Sequence, residues 1–303
     1  MEGERESMKE KLTKAVWQEV TQYRKAQDLP LLWRQPLLAF TDAGHPGFLR
    51  LRQLVLPDHY LPQDLLPGAR IVVCYFLPFS REVIESNRAG RYASPLWVMA
   101  YQHSAQLLYR INRRLCQEVA AAGGRAAIPQ DTGYAAEGVY KSRWSQRHIA
   151  WLGGLGTFGK NNLLITDSGC CGYGASVVTD LQEEPGAPLE QERCLLYREG
   201  SCGACVGQCP NGALTMEGFC RERCYAMCME ERATTRGSSP GKQTPAANAG
   251  QGCPAPGRCH KRVAKQKTPC LAARGEEGRK CYFTVRRPSR SLRQCRSGGS
   301  GPW

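Results

Sequence analysis

The sequence predicts an α/β (α+β) core with a mixed sheet flanked by helices, followed by a small cysteine-rich module. Three observations predict it. Apolar runs of strand length alternate with helical periodicities through the first 185 residues. Hydrophobic residues make up 42% of the chain, enough to build a core, and its tryptophan, leucine and valine are concentrated before residue 200. Cysteine density then rises at Cys194. Residues 1–185 are assigned to the core, 186–234 to the module, and 235–303 to a basic low-complexity tail.

The elements follow in order. Residues 5–28 carry Leu12, Val16, Trp17, Val20 and Tyr23 on one side of a helix. Pro57, Pro62 and Pro67 mark an irregular approach to a strand at 69–76, a continuous apolar run suited to a central sheet position. Pro95 to Ala122 reads as a long amphipathic helix ended by Gly123 and Gly124. Residues 125–131 form a short strand with a loop, and Lys141 to Leu152 another helix. Strands at 163–166 and 175–181 complete the core.

The N-terminus is charged with no apolar run behind it, so it is not a secretory signal. The most apolar stretch, Ile71 to Phe79, is too short to cross a bilayer. A cytoplasmic protein with no membrane partner is expected. The net charge of +14 belongs to the tail, where 15 Lys and Arg face 2 Asp and Glu. The rest of the chain holds 26 basic and 25 acidic residues, no overall excess of the kind a nucleic-acid footprint needs. The tail is rich in Gly, Ser, Pro, Arg, Ala and Gln, a composition that predicts disorder.

Sixteen cysteines in a reducing compartment point to metal rather than to disulfides. Cys74 and Cys116 stand alone in apolar surroundings and read as small buried hydrophobes. Cys202-x2-Cys205-x3-Cys209-Pro210 matches the last three positions of the bacterial ferredoxin pattern, with Cys194 available for the displaced first position. Cys220, Cys224 and Cys228 recur every four residues, one stripe of a helix, so Cys224 and Cys228 can face a cluster together. Cys220 reads equally as an ordinary helix residue. Cys202-x2-Cys205 alone would suit zinc, but the trailing Cys-Pro favours iron–sulfur. The predicted module is therefore ferredoxin-like, with one or two [4Fe–4S] clusters. Cys259 or Cys270 in the tail are further candidates to complete a second one.

Gly154, Gly156 and Gly159 satisfy G-x-G-x-x-G. A helix precedes them and a strand follows, the reverse of the order that dinucleotide binding requires, which argues against NAD. HIAWLGGLGTFGKNNLLIT (148–166), GYGASVVTDL (172–181) and CGACVGQCPNGAL (202–214) resemble, in the same order, segments of the epoxyqueuosine reductase family. LPGARIVVCYFLPF (66–79) is similar to a strand of that family, so the resemblance spans roughly residues 60–228.

The resemblance implies a cobalamin-binding core fused to a module with two [4Fe–4S] clusters that reduce the cobalamin, which in turn reduces an organic substrate. It implies that Gly153, Gly154, Gly156 and Gly159 let backbone approach the cofactor, with Lys160 and Asn161 as polar contacts at its edge. The alternative for these glycines is a tight helix-to-strand turn. The family's proton-donating aspartate falls on Asp131, in Asp131-Thr132-Gly133, with Tyr134 where the family has proline. Such a donor needs a raised pKa at neutral pH. His148 reads as a packing or capping residue. A low-potential donor such as a ferredoxin or flavodoxin is implied, with a small-molecule or modified-nucleoside substrate. Full-length members that act on tRNA carry a C-terminal helical-repeat region that this short form lacks, so tRNA is a weaker expectation. The alternatives are a ferredoxin-like electron carrier without cobalamin, and a zinc protein binding a partner through the tail.

Overall fold

The structure, a computed structural model, describes residues 6–130 and 140–236. Helix α1 (Met8–Ala26) opens on a reciprocal cap: the Ser7 hydroxyl accepts from the Glu10 amide, and the Glu10 carboxylate accepts from the Ser7 amide. It buries Leu12, Val16, Val20 and Tyr23, while Trp17 is only partly covered. Strand β1 (Leu37–Asp42), the short helices α2 (Gly47–Leu54) and α3 (Pro62–Leu65), and strand β2 (Ile71–Pro78) follow. After α4 (Arg81–Ser86) comes the 27-residue α5 (Pro95–Ala121), capped by the Ser94 hydroxyl. Then come β3 (Ala126–Ala127), α6 (Gln146–Leu152), β4 (Thr157–Phe158), β5 (Leu164–Ile165) and β6 (Gly172–Thr179). The cysteine segment forms α7 (Leu195–Glu199), α8 (Ala204–Gly207) and α9 (Arg221–Arg236).

The main sheet has the order β1-β2-β6-β3, and every neighbouring pair is antiparallel. This corrects the mixed sheet expected from alternating helices and strands. β2 and β3 do run the same way, joined by α5, but β6 enters between them in the opposite direction. β4 and β5 form a separate hairpin.

β2 is buried at all eight positions, as its unbroken apolar run requires. Its alternate residues serve two cores. Ile71, Val73, Tyr75 and Leu77 pack with α1 and α5, alongside Leu107 and Ile111. Val72, Cys74 and Phe76 pack with Phe48 of α2 and with Ile149 and Leu152 of α6. Two polar groups in the core are paired: the Trp33 indole donates to Ser104 Oγ at 2.9 Å, and Tyr75 Oη donates to Asn112 Oδ1 at 2.9 Å. Cys74 is fully buried and burial pushes its thiol up to about 12, whereas Cys116 is only half-buried. Among the described residues, no helix is long and apolar enough to cross a membrane.

Helix α6 is shorter than expected. Residues 142–145 spend their backbone groups elsewhere: Trp144 N donates to Ser142 Oγ, and Ser145 N donates to His59 Nε2 at 3.0 Å. β1, α2 and α4 carried no strong signal, being short and set between prolines and polar residues.

Candidate functional site

Helix α6 ends in paired bonds of the Schellman type, Gly154 N to Trp151 O at 3.0 Å and Leu155 N to Ala150 O at 2.9 Å. Gly154 occupies the left-handed position with φ 76°. A β-carbon there would stand 2.3 Å from Ala187 O. The other glycines of the block meet equally close neighbours. A β-carbon would lie 2.3 Å from Thr41 Oγ1 at Gly153, 2.3 Å from Ile165 O at Gly156, and 2.7 Å from Asn161 Oδ1 at Gly159. The chain's own atoms fill these positions. In the directions a β-carbon would take, the glycines therefore serve internal packing.

The β4–β5 hairpin carries Lys160 and Asn161 at its turn. Asn161 Oδ1 accepts from Leu163 N at 3.2 Å, and its Nδ2 donates to Cys170 Sγ at 3.4 Å. Asn162 follows in the left-handed region, φ 60°. Lys160 turns toward the cysteine segment: its amide donates to Cys194 Sγ at 3.5 Å and its Nζ to Met216 O at 2.6 Å. Arg193 N donates to Thr157 Oγ1 at 2.8 Å, and the Arg193 guanidinium pairs with Asp167. The hairpin is thus the surface on which the cysteine segment docks.

Cys194 stands at the N-cap of α7, which ends at Gly200 with φ 68°. Cys202 and Cys205 flank the start of α8, and Cys209 follows it. Cys209 Sγ accepts from Leu214 N at 3.3 Å. Asn211 ties this turn to the last helix, its Nδ2 donating to Arg223 O at 2.8 Å. Leu214 and Phe219 pair across a small hairpin, and Cys220 N donates to Ala213 O. Cys224 and Cys228 lie one turn apart on α9.

Cys194, Cys202, Cys205, Cys209, Cys224 and Cys228 are all half-buried. Among the described residues, no three His, Cys, Asp or Glu side chains are gathered closely enough to hold a metal ion. The fold brings these thiols into one module without converging them. In kind the donor set fits an iron–sulfur cluster: cysteine sulfurs, with N–H···S bonds already made to Cys194 and Cys209.

The electrostatics beside the hairpin disfavour protonated histidine. His148 lies against the Phe158 ring, and its Nδ1 is 2.7 Å from Ser145 Oγ. Burial, then Arg147, His59, Arg221 and Lys141, push its pKa down to about 3. The pKa of His59 is lowered for the same first reason, burial. Its Nδ1 lies 2.8 Å from Tyr60 O while Nε2 takes the Ser145 amide, so Nδ1 carries the proton.

Asp131, Cys259 and Cys270 lie outside the described residues, as does the chain from 237 onward. Arg193, Arg198, Thr157 and Cys170 were not singled out from the sequence. The Thr157–Arg193 contact spans 36 residues, and no local pattern announces it.

No protein-family model matches the chain. The chain is similar to an epoxyqueuosine reductase of Lactococcus garvieae (strain Lg2), 27% identical over 224 residues, 72% of this chain and 58% of that protein. It therefore spans less than two thirds of that curated relative's length. An epoxyqueuosine reductase solved with a tRNA-Tyr epoxyqueuosine-modified tRNA stem loop is 20% identical, over 71% of this chain and 58% of that one, at TM-score 0.41. The epoxyqueuosine reductase of Streptococcus thermophilus is 16% identical, over 70% and 58%, also at TM-score 0.41.

Proposed function

We propose that this chain is an iron–sulfur oxidoreductase, a reductase resembling epoxyqueuosine reductase, in which [4Fe–4S] clusters pass electrons to a cobalamin that reduces an organic substrate. The observation that carries it is the docking of Cys194 on the hairpin through Lys160, which sets the start of the cysteine segment against the core. The likeness at 27% identity to the curated reductase supports the same class. Residues 186–234 act as the ferredoxin-like module. Cys194, Cys202 and Cys205 contribute to one cluster, and Cys209, the last cysteine of the pattern, joins Cys224 and Cys228 at a second.

Lys160 orients the Cys194 sulfur and anchors the Met216 segment. Asn161 stiffens the turn. Asp131 is proposed as the proton donor to the substrate. A low-potential ferredoxin or flavodoxin supplies electrons. The substrate is a small molecule or a modified nucleoside, as the relative's name suggests, with tRNA the weaker candidate. The protein works in the cytoplasm.

A second class has an observation of its own. Because the glycine block is filled by internal contacts, a ferredoxin-like electron carrier without cobalamin also fits the geometry.

The test is metal content. Protein purified anaerobically and reconstituted with iron, sulfide and cobalamin is assayed for Fe, Co and Zn together. About four iron atoms per cluster, with cobalt near one per chain, is the expected result. Iron without cobalt selects the carrier, and zinc in place of iron overturns both.

A further inference from the structure

The start of α9, the chain leading into α6 and the turn of the β4–β5 hairpin each bring a basic side chain to one place. The Tyr140 and Tyr225 rings pack with centroids 4.7 Å apart, which sets the first turns of α9 against the chain before α6. Arg221 lies four residues before Tyr225 on the same helix face, and Lys141 follows Tyr140 directly. This contact makes Lys141 and Arg221 neighbours, and the pKa of Lys141 is lowered by burial first and by Arg221 second. From the other side, Arg147 reaches from α6 to the hairpin, where its Nη1 donates to Asn162 O. His148, next to it, packs on the Phe158 ring of the same hairpin, and Arg147, Arg221 and Lys141 all act on it.

The charge there is one-sided. Among the described residues, every charge that acts on Lys141 and His148 is positive. Among the same residues, the Lys141 ammonium makes no hydrogen bond or ion pair. Arg143, two positions along the same stretch, shows the contrast, being matched by Asp58 at 2.5 Å. Lys141, Arg147 and Arg221 are all half-buried, although lysine and arginine mostly stay in solvent. Like charges held together with little water between them repel, and the repulsion is relieved by an anion. His148 cannot share the burden as a fourth cation, because it is uncharged at neutral pH.

We infer that Lys141, Arg147 and Arg221 form a binding site for a phosphate-bearing ligand. Three cations call for more negative charge than a single carboxylate carries, and a phosphate monoester supplies close to two charges. Guanidinium groups bond phosphate oxygens through paired N–H donors, and an ammonium adds a compact point charge. The site needs neither a cluster nor cobalamin, so it stands apart from the electron transfer proposed above.

The experiment is equilibrium dialysis of the full-length protein against radiolabelled inorganic phosphate or guanosine 5′-monophosphate, at constant ionic strength so that general screening is the same throughout. Saturable binding to the wild type is expected. Lys141→Gln, Arg147→Gln and Arg221→Gln, checked for folding by circular dichroism, are each expected to bind about tenfold more weakly, as the loss of one charge-assisted bond predicts. Arg147→Lys keeps the charge, should lose less, and covers the case in which Arg147→Gln does not fold. Arg113→Gln removes an exposed cation on α5 and should bind as the wild type does. Tighter binding of the nucleotide would assign the phosphate to a nucleotide ligand, and tighter binding of inorganic phosphate to the free anion; either supports the site. No saturable binding, wild-type affinity in the folded glutamine variants, an equal loss in Arg113→Gln, or displacement of phosphate by equimolar acetate overturns the inference. Each of these leaves the proposed reductase standing, since metal content tests that separately.

Discussion

Gly154 shows how little freedom a single residue can have. Its φ of 76° is strained for any residue with a side chain, and Ala187 O stands where a β-carbon would go. Gly154→Ala is expected to cost about 1–3 kcal/mol, read as a lower midpoint in urea unfolding. Gly123 also has a positive φ, but a β-carbon there meets nothing within 4 Å. Its alanine variant should cost less, and equal losses at both sites would refute the role given to the Ala187 contact. The cysteines divide in the same way. Cys209 accepts an amide hydrogen bond and stays half-buried, whereas Cys74 is sealed in the core with its thiol held protonated. Cys209→Ser is expected to lower reconstituted iron sharply, and Cys74→Ala to leave it unchanged. Iron retained in full by Cys209→Ser would remove that residue from the ligand set.

At the scale of elements, β2 bears the most constraint. It is paired on both edges, by β1 and β6, and covered on both faces. Amide hydrogen exchange should be slowest at its centre, around Val73 to Tyr75, and should approach the rate of global unfolding there. Faster exchange at these amides than in α1 would contradict the two-core arrangement. The β4–β5 hairpin is the opposite case. It has two residues per strand, and its role comes from what docks on it. Lys160→Met removes the ammonium bond to Met216 O and should speed limited proteolysis of residues 186–216, with the main sheet unaffected. Proteolysis at the wild-type rate would mean that Thr157 and the Lys160 amide suffice.

Across the whole molecule, buried neutral histidine sets the response to acid. The folded pKa of His148, about 3, lies below its ordinary value of 6.5, and that of His59 is lowered as well. Below pH 6.5 the unfolded chain takes up protons that the folded chain refuses. Stability is therefore fully expressed above that pH and falls as pH drops toward 3. His148 contributes a limiting slope of about 1.4 kcal/mol per pH unit. Unfolding midpoints measured from pH 7 to pH 4 should decline, and His148→Gln should flatten the decline. A decline of the same steepness in that variant would assign the acid sensitivity to other groups.

Local patterns in the sequence determined the helices at 8–26 and 95–121, the buried strand at 71–78 and the strand at 172–179. Each is written by periodicity, caps and composition within one stretch of chain, where the physics acts between near neighbours. For the glycine block a tight turn was the alternative to cofactor binding, and which atoms crowd it could not be read locally. Only the tertiary structure decided that β6 inserts antiparallel between β2 and β3, turning the expected mixed sheet into an antiparallel one. Only it set Lys160 against Cys194, 34 residues away, and Thr157 against Arg193, 36 residues away. Strand order and docking depend on which distant surfaces exclude water from each other, a property of the folded arrangement that no local run of residues carries.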